Sequence, residues 1–381
     1  MRRTYSPLPL SPEAFACVDR VARALCGGHE TRDLIAATAA LSRVYTRERG
    51  QMQALESDRK ALLGKIGFFW ARDLAKVFGP LDELARCGLM PQRERLRVLD
   101  VGAGLGATSF GVARWVRLTG APVQKLDVVA LEQSQLALKG FGALARELGS
   151  RASELAPITL EARQGDLRTA RRDGPYDLIL FGFVLNELDL ALPLDQRIAH
   201  RAELLRDASR QLTEGGAIVV LEPALKESTR ELMLLRDALA ADAAPPFVIA
   251  PCLHAGACPM LPSERDWCHQ ELPYALPPPL AAVARAAGLR YEGLSYASLV
   301  LSNQPRPQAS HVLHRAVSDP LLSKGKRELF TCSGHGYLRL TRLNRDASES
   351  NEAFDDAKRG DVLTLEPDAQ RIGADSKVTR A

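Results

Sequence analysis

The chain has 381 residues, of which 46% are hydrophobic, 25% charged and 6% aromatic. At roughly 150 residues per domain this is material for two or three domains with a sizeable core, and it excludes a globally disordered chain. Fifty lysines and arginines against 46 acids leave +4, too small an excess to demand a nucleic-acid partner by itself.

Residues 1–90 read as a helical N-terminal region, with apolar residues three and four apart over 13–26, 31–55 and 58–77 and Asp58 as an N-cap. Pro7, Pro9, Pro12 and Glu13 interrupt its start. No secretory leader is expected from such a stretch. With no run of eighteen apolar residues either, no membrane span is expected, and the reading is a cytoplasmic protein.

Residues 91–244 alternate strand and helix. Strands are expected at 96–101, 126–131, 158–162, 177–185 and 217–221, and helices at 107–118, 134–148, 195–212 and 224–244. That alternation implies a parallel Rossmann-like α/β sheet with helices on both faces.

Residues 245–345 begin with a proline- and cysteine-rich stretch, 245–279, too rich in proline for regular structure. A helix at 280–287 and strands at 291–301, 312–317 and 336–343 follow, giving a β-rich extension. Between 303 and 345 there are eight basic and two acidic residues; the tail, 346–381, has five basic and nine acidic. It reads as loosely ordered around Ser348, Glu349, Ser350 and Asn351.

The strongest motif is Val98-Leu99-Asp100-Val101-Gly102-Ala103-Gly104-Leu105-Gly106. A strand ends in a glycine turn and opens into a helix whose first N–H groups are unpaired. Gly102, Gly104 and Ala107 also fit the dinucleotide fingerprint. Asp100 separates the two readings, because S-adenosylmethionine (SAM) carries an ammonium and a sulfonium that call for a carboxylate, whereas a pyrophosphate does not. Glu132 after the second strand suits ribose hydroxyls in either case. Asp166 after the third suits an adenine amino group. Asn186 and Glu187 after the fourth put polar groups at the sheet's carboxyl edge, where such sheets bind ligands. Over 95–225 this pattern resembles the class I SAM-dependent methyltransferases. Residues 186–189 read Asn-Glu-Leu-Asp, without the two prolines of enzymes that methylate exocyclic base amines. The catalytic residues stay open, with Asn186 and Glu187 as candidates.

Seven cysteines is an odd number for a disulfide framework. Cys252, Cys258 and Cys268 crowd into the proline-rich stretch, and Cys332 follows at C-x5-C-x9-C-x63-C spacing. Thiolates bind Zn or iron–sulfur clusters, but zinc ribbons favour shorter knuckles. Zinc with His254, His269 or His335 in place of one thiolate stays open, as do four separate buried cysteines.

A SAM fold followed by such a cysteine segment resembles the methyltransferase-like family of mitochondrial small-ribosomal-subunit assembly factors and their bacterial relatives. The resemblance rests on VLDVGAGLGATSF at 98–110, LNEL at 185–188, APCLHAGACPM at 250–260, WCH at 267–269 and the Cys332 segment, and it spans most of 60–345. It implies SAM bound through Asp100, Gly102, Gly104, Gly106, Glu132, Asp166 and Asn186. It also implies a [4Fe–4S] cluster on Cys252, Cys258, Cys268 and Cys332. The implied partner is the small ribosomal subunit and its rRNA, met by a monomer that methylates the RNA or acts as an inactive assembly factor, in the mitochondrial matrix if the source is eukaryotic. Lys324, Lys326, Arg327, Arg339 and Arg342, with Arg345, are the RNA-contact candidates, presented as a cationic face; a solvated strand face is the plainer reading.

Overall fold

A computed structural model of the chain describes residues 9–47, 58–168, 173–365 and 370–381. Among them no helix is long and apolar enough to cross a membrane.

The N-terminal region is helical as expected. It comprises α1 (Pro12–Cys26), α2 (Thr31–Arg47), α3 (Arg59–Gly64), a π-helical stretch Lys65–Trp70, α4 (Ala71–Asp73), a 3-10 turn Leu74–Val77 and α5 (Phe78–Arg86). Ser11 caps α1 by accepting from the Ala14 amide, and Asp58 caps α3 by accepting from the Lys60 amide. The end of the expected 31–55 helix lies outside the described residues. The expected 58–77 helix instead changes type three times. Its π-helical turn faces Phe68, Phe69 and Trp70 inward in succession, all buried, which a 3.6-residue period does not do.

The large sheet uses β1 (Arg95–Val101), β2 (Lys125–Glu132), β3 (Ile158–Gln164), β4 (Tyr176–Gly182), β5 (Leu212–Glu222), β6 (Phe247–Ala250), β7 (Gln270–Ala275) and β8 (Glu292–Ser302). Its order is β3-β2-β1-β4-β5-β8-β6, with β7 paired to β8. β1 to β5 run parallel and β8 antiparallel to β5. The helices between them are α6 (Ala107–Thr119), α7 (Gln135–Gly149), α8 (Leu194–Ser209) and α9 (Lys226–Ala240), with α10 (Pro278–Ala286) between β7 and β8. Successive β1 side chains divide between two cores. Leu96 and Val98 join the N-terminal helices and α6, whereas Leu99 and Val101 join the face covered by α8 and α9.

Three sequence expectations change here. The sheet continues past residue 244, because β8 is buried over most of its length and fills the place beside β5. The proline-rich stretch includes β6 and β7. The tail is ordered at its start: Ser348 and Asn351 form a reciprocal capping box over the 3-10 helix Glu349–Phe354.

The β-rich extension forms a second sheet of β9 (Leu313–Ala316), β10 (Leu321–Ser323), β11 (Lys326–Ser333), β12 (Gly336–Leu343), β13 (Val362–Thr364), β14 (Arg371–Ile372) and β15 (Thr379–Arg380). Its order is β14-β12-β11-β9-β13-β15, with β10 on β11. The acidic tail thus supplies three of its strands. Phe354, Leu363 and Ile372 from the tail pack with Leu329 and Leu340 in a separate small core.

Candidate functional site: a glycine turn and a cysteine nest

The turn between β1 and α6 is left-handed at Gly102, Gly104 and Gly106, with φ of 64°, 52° and 74°. Two of these positions need glycine for opposite reasons. A Cβ at Gly106 would lie 2.3 Å from the Phe141 ring, whereas one at Gly104 would meet nothing within 4 Å. The first glycine is a packing requirement; the second leaves the turn open above itself.

The turn is braced from three sides. Leu131 O accepts from the Gly102 and Ala103 amides at 2.9 and 3.2 Å. The Glu132 carboxylate accepts from the Gly104 amide at 2.8 Å and from the Ser134 amide at 2.9 Å. From the π-helical stretch, Trp70 Nε1 donates to Leu105 O at 3.2 Å. Trp70, Phe110 and Phe141 form a chain of rings with centroids 5.0 and 5.4 Å apart. The N-terminal helices therefore hold the turn in place.

The candidate acids occupy different environments. Asp100 is only 1% exposed and accepts the Ser109 hydroxyl at 2.6 Å, tying β1 to α6. Burial, helped by nearby Glu132, pushes its carboxyl up to about 7. Asp166 stands on the rim, accepting from the Arg168 amide at 2.8 Å. Asn186 lies past the end of β4, in the 3-10 turn Leu185–Glu187. Its Nδ2 donates to Phe183 O at 2.9 Å, and its amide donates to Glu222 Oε1 at 3.3 Å. Glu187, beside it, is exposed. Phe183 and Asp189 are non-glycine residues at φ of 64° and 58°, backbone strain at the sheet edge of the sort that clusters at functional sites.

Several rim residues were not picked out from the sequence. Lys76 is 6% exposed, with Nζ 3.0 Å from Asp73 and 4.7 Å from the Phe183 ring centroid. Burial lowers its ammonium to about 8. Arg72 stacks on Phe69 at 4.7 Å, and Tyr45 meets Phe69 edge-on at 5.1 Å. Burial raises the Tyr45 hydroxyl, and the carboxylates of Glu187 and Asp73 push the same way. The signal for this group was present as Arg72, Asp73 and Lys76 breaking an otherwise apolar run. A periodicity argument reads such charges as a solvated face. Glu222, at the end of β5, was also not assigned a role; its Oε2 has no hydrogen-bond partner, and burial pushes its carboxyl up to about 8.

The four downstream cysteines come together. Burial raises each of the four thiols, and Cys332 is raised further by Cys252, Cys268 and Cys258. Cys268, close to Cys252 and Cys258, is pushed up to about 12. Cys258 packs with Met233, Met260 and Val317, and Cys268, Cys332 and Trp267 close around them. Among the described residues no three His, Cys, Asp or Glu side chains are arranged to hold a metal ion. The thiols form a shared neighbourhood rather than the closed coordination site the sequence suggested.

The organiser of the proline-rich stretch is a set of arginines, which satisfy its backbone carbonyls. Arg230 from α9 donates to Leu261 O, Ser263 O and Asp266 O at 3.0, 2.6 and 2.9 Å. Arg236, also from α9, donates to His254 O and Gly256 O. Arg315 from β9 reaches Pro251 O at 2.6 Å and pairs with Glu83 of α5 at 2.9 Å, linking both sheets and the helical layer.

The basic segment is partly neutralised within the fold. Lys326 and Arg339 pair with Glu328 at 3.0 and 2.8 Å, and Arg327 pairs with Asp355 at 3.5 Å. Arg342, expected on an open cationic face, is 3% exposed. It is held by Asp355 and by Asn351 Oδ1 at 2.8 Å, because alternate side chains of β12 point into the small core. Lys324 is exposed in the turn between β10 and β11.

Residues 71–363 match the family described as mitochondrial small ribosomal subunit Rsm22. No curated protein matches the sequence. The solved structures to which the chain is similar include methyltransferases of low identity. The plantazolicin methyltransferase BamL is 12% identical over 72% of this chain and 98% of its own, with TM-score 0.37. A SAM-dependent methyltransferase from Aquifex aeolicus is 15% identical over 60% and 93%, with TM-score 0.29. Another, from Clostridium acetobutylicum, is 11% identical over 70% and 72%, with TM-score 0.29.

Proposed function

The chain belongs to the family of mitochondrial small ribosomal subunit Rsm22, and on that premise we propose that it binds SAM at the glycine turn and acts on the small ribosomal subunit, with methyl transfer to rRNA as its chemistry. The observation that carries this reading is the left-handed turn at the carboxyl edge of a doubly wound sheet, open above Gly104 and faced by Glu132.

In this reading the turn from Gly102 to Gly106 admits the cofactor's backbone-contacting edge. Glu132 exchanges its bond to the Gly104 amide for the ribose hydroxyls, Asp166 on the rim takes the adenine amino group, and Asn186 flanks the methyl-donor end. Asp100 acts from beneath, fixing the strand to α6 through Ser109. SAM, when bound, supplies an electrophilic methyl group. Glu187, exposed beside Tyr45, is placed to take a proton from an acceptor nucleophile.

Incubating the purified chain with methyl-labelled SAM and immature small subunits labels the rRNA if this is right. Absence of label in every ribosomal substrate refutes methyl transfer. A second reading, binding without turnover, is favoured by the Asn186 side chain, whose Nδ2 donates to Phe183 O rather than standing free for a substrate. It is distinguished by co-sedimentation with small subunits without label.

The cysteine nest suits a thiolate-bound group in kind. Cys258, Cys268 and Cys332 share one apolar neighbourhood, and Cys252 lies close to all three. Beside them Arg236 already hydrogen-bonds Cys252, and Arg315 Nη2 and Arg359 Nε are buried donors lacking acceptors; a negatively charged centre answers such donors. Cys252, Cys258, Cys268 and Cys332 would hold a [4Fe–4S] cluster, which would tie the second sheet to α9 and the proline-rich loop. Zinc is the competing occupant, favoured by His254, whose buried Nε2 has no partner. Iron content and broad visible absorption of protein purified without oxygen support the cluster; colourless, zinc-loaded protein refutes it.

A further inference from the structure

The loop that carries Asn186 and Glu187 abuts the glycine turn: a Cβ at Gly102 would fall 2.6 Å from Val184 Cγ2. Its place is fixed by β5 and α8. The Phe183 amide donates to Leu221 O at 2.7 Å. The Asn186 amide donates to Glu222 Oε1 at 3.3 Å. Leu188 O accepts from Arg201 Nη2 at 2.7 Å, while Arg201 Nη1 pairs with Glu231 of α9 at 2.6 Å. Glu222 and Arg201 are both buried.

These anchors hold a backbone that would otherwise relax. Phe183 and Asp189, on either side of the loop, are non-glycine residues in the left-handed region. Such a conformation persists only where its surroundings over-determine it. The space shared by Asn186, Arg201, Glu222 and Ser228 is a cavity of about 10 Å³, room for about one water. It admits no larger ligand. Burying an arginine and a glutamate is costly, and the group these two contact is the loop itself.

We infer that Glu222 and Arg201 are positioning residues for the cofactor's methyl-donor end: by anchoring the loop at Asn186 and Leu188 they hold Asn186 and Glu187 beside the glycine turn in the geometry that receives SAM. Both act through the loop rather than on the cofactor. The inference rests on the cofactor reading above and adds the residues that keep its site in register.

The test measures S-adenosylhomocysteine affinity of the full chain by calorimetry in E222L, E222Q and R201M. E222L removes the acceptor of the Asn186 amide. E222Q keeps an oxygen there, and because burial shifts the Glu222 carboxyl towards its neutral form, glutamine alters little charge. R201M leaves Glu231 paired with Arg197 at 2.8 Å. E222L and R201M are each expected to weaken binding about tenfold, as for loss of one buried hydrogen bond, and E222Q to stay within about twofold of the unaltered chain. E222L/R201M together should lose about tenfold rather than about a hundredfold, because both act through one loop. Hydrogen exchange should quicken across 183–189 in E222L and R201M and stay unchanged in β1 and α6.

Exchange in the unaltered chain needs no variant to fold: the Asn186 amide should exchange as slowly as the amides of β5. Exchange at the rate of an open loop overturns the proposal. So does an equal loss of affinity in E222Q and E222L, or an additive loss in the combined variant. If the unaltered chain does not bind S-adenosylhomocysteine, the cofactor reading falls and this assignment with it. If it binds and E222L and R201M bind equally well, only the assignment of Glu222 and Arg201 falls.

Discussion

Gly104 and Gly106 differ by two positions and share a left-handed backbone, yet alanine should act on them in different ways. Alanine at either position incurs the left-handed penalty, about 1–2 kcal/mol, partly offset by the reduced freedom of the unfolded chain. At Gly104 nothing lies within 4 Å of the new Cβ, so the net loss of stability should be about 1 kcal/mol. At Gly106 the Cβ falls 2.3 Å from Phe141, a ring with 0% exposure. Overpacking of this kind adds about 1–3 kcal/mol, for a total of about 3 kcal/mol. Ligand binding should rank the other way. Gly104→Ala fills the open space above the turn and is expected to weaken S-adenosylhomocysteine binding at least tenfold while the protein stays folded. Chemical denaturation and isothermal titration calorimetry on the two variants read both quantities. Wild-type affinity in Gly104→Ala would show that the space above the turn is not the nucleoside site. Equal stability of the two variants would refute the packing argument.

Trp70→Phe removes the donor to Leu105 O while keeping an apolar ring. The loss of about 1 kcal/mol at the brace should weaken S-adenosylhomocysteine about fivefold, and calorimetry showing no change would mean the π-helical stretch does not steady the turn. Glu222→Gln tests the buried carboxyl. Its folded-state value of about 8 lies above the ordinary 4.5, so the folded protein keeps a proton that the unfolded chain releases. The stability is fully present below about pH 4.5 and is lost as pH rises towards 8. The wild type should therefore lose stability relative to the glutamine variant across that window, by on the order of 5 kcal/mol, and parallel pH profiles would contradict the assignment. Cys258→Ser should abolish visible absorption and iron in protein purified without oxygen and open residues 313–380 to protease, while S-adenosylhomocysteine still binds. An unchanged digestion pattern would show that the nest does not secure the second sheet.

Local chemistry carried much of this protein in its sequence. Apolar runs separated by helical stretches specify β1, β2, β4 and β5, because a strand buried on both faces is largely apolar, whereas β3, at the sheet's edge, is mostly polar and exposed. Gly102, Gly104 and Gly106 announce the turn because no other residue adopts that backbone cheaply. Asp58 is legible as a cap because a cap acts within three residues of itself. The remaining features depend on distance along the chain. β8 reads as any apolar strand, and only its pairing with β5 and β6 places it inside the large sheet. Asp100 reads as a ligand acid, but the packing of α6 against β1 turns it towards Ser109. Arg342 reads as an exposed cation until β12 turns it into the small core, and the proline-rich stretch gives no hint that Arg230, Arg236 and Arg315 satisfy its carbonyls. Spacing along a chain determines neighbours a turn or a strand away; which side of an element is buried, and which distant charge meets it there, is fixed only when the layers pack.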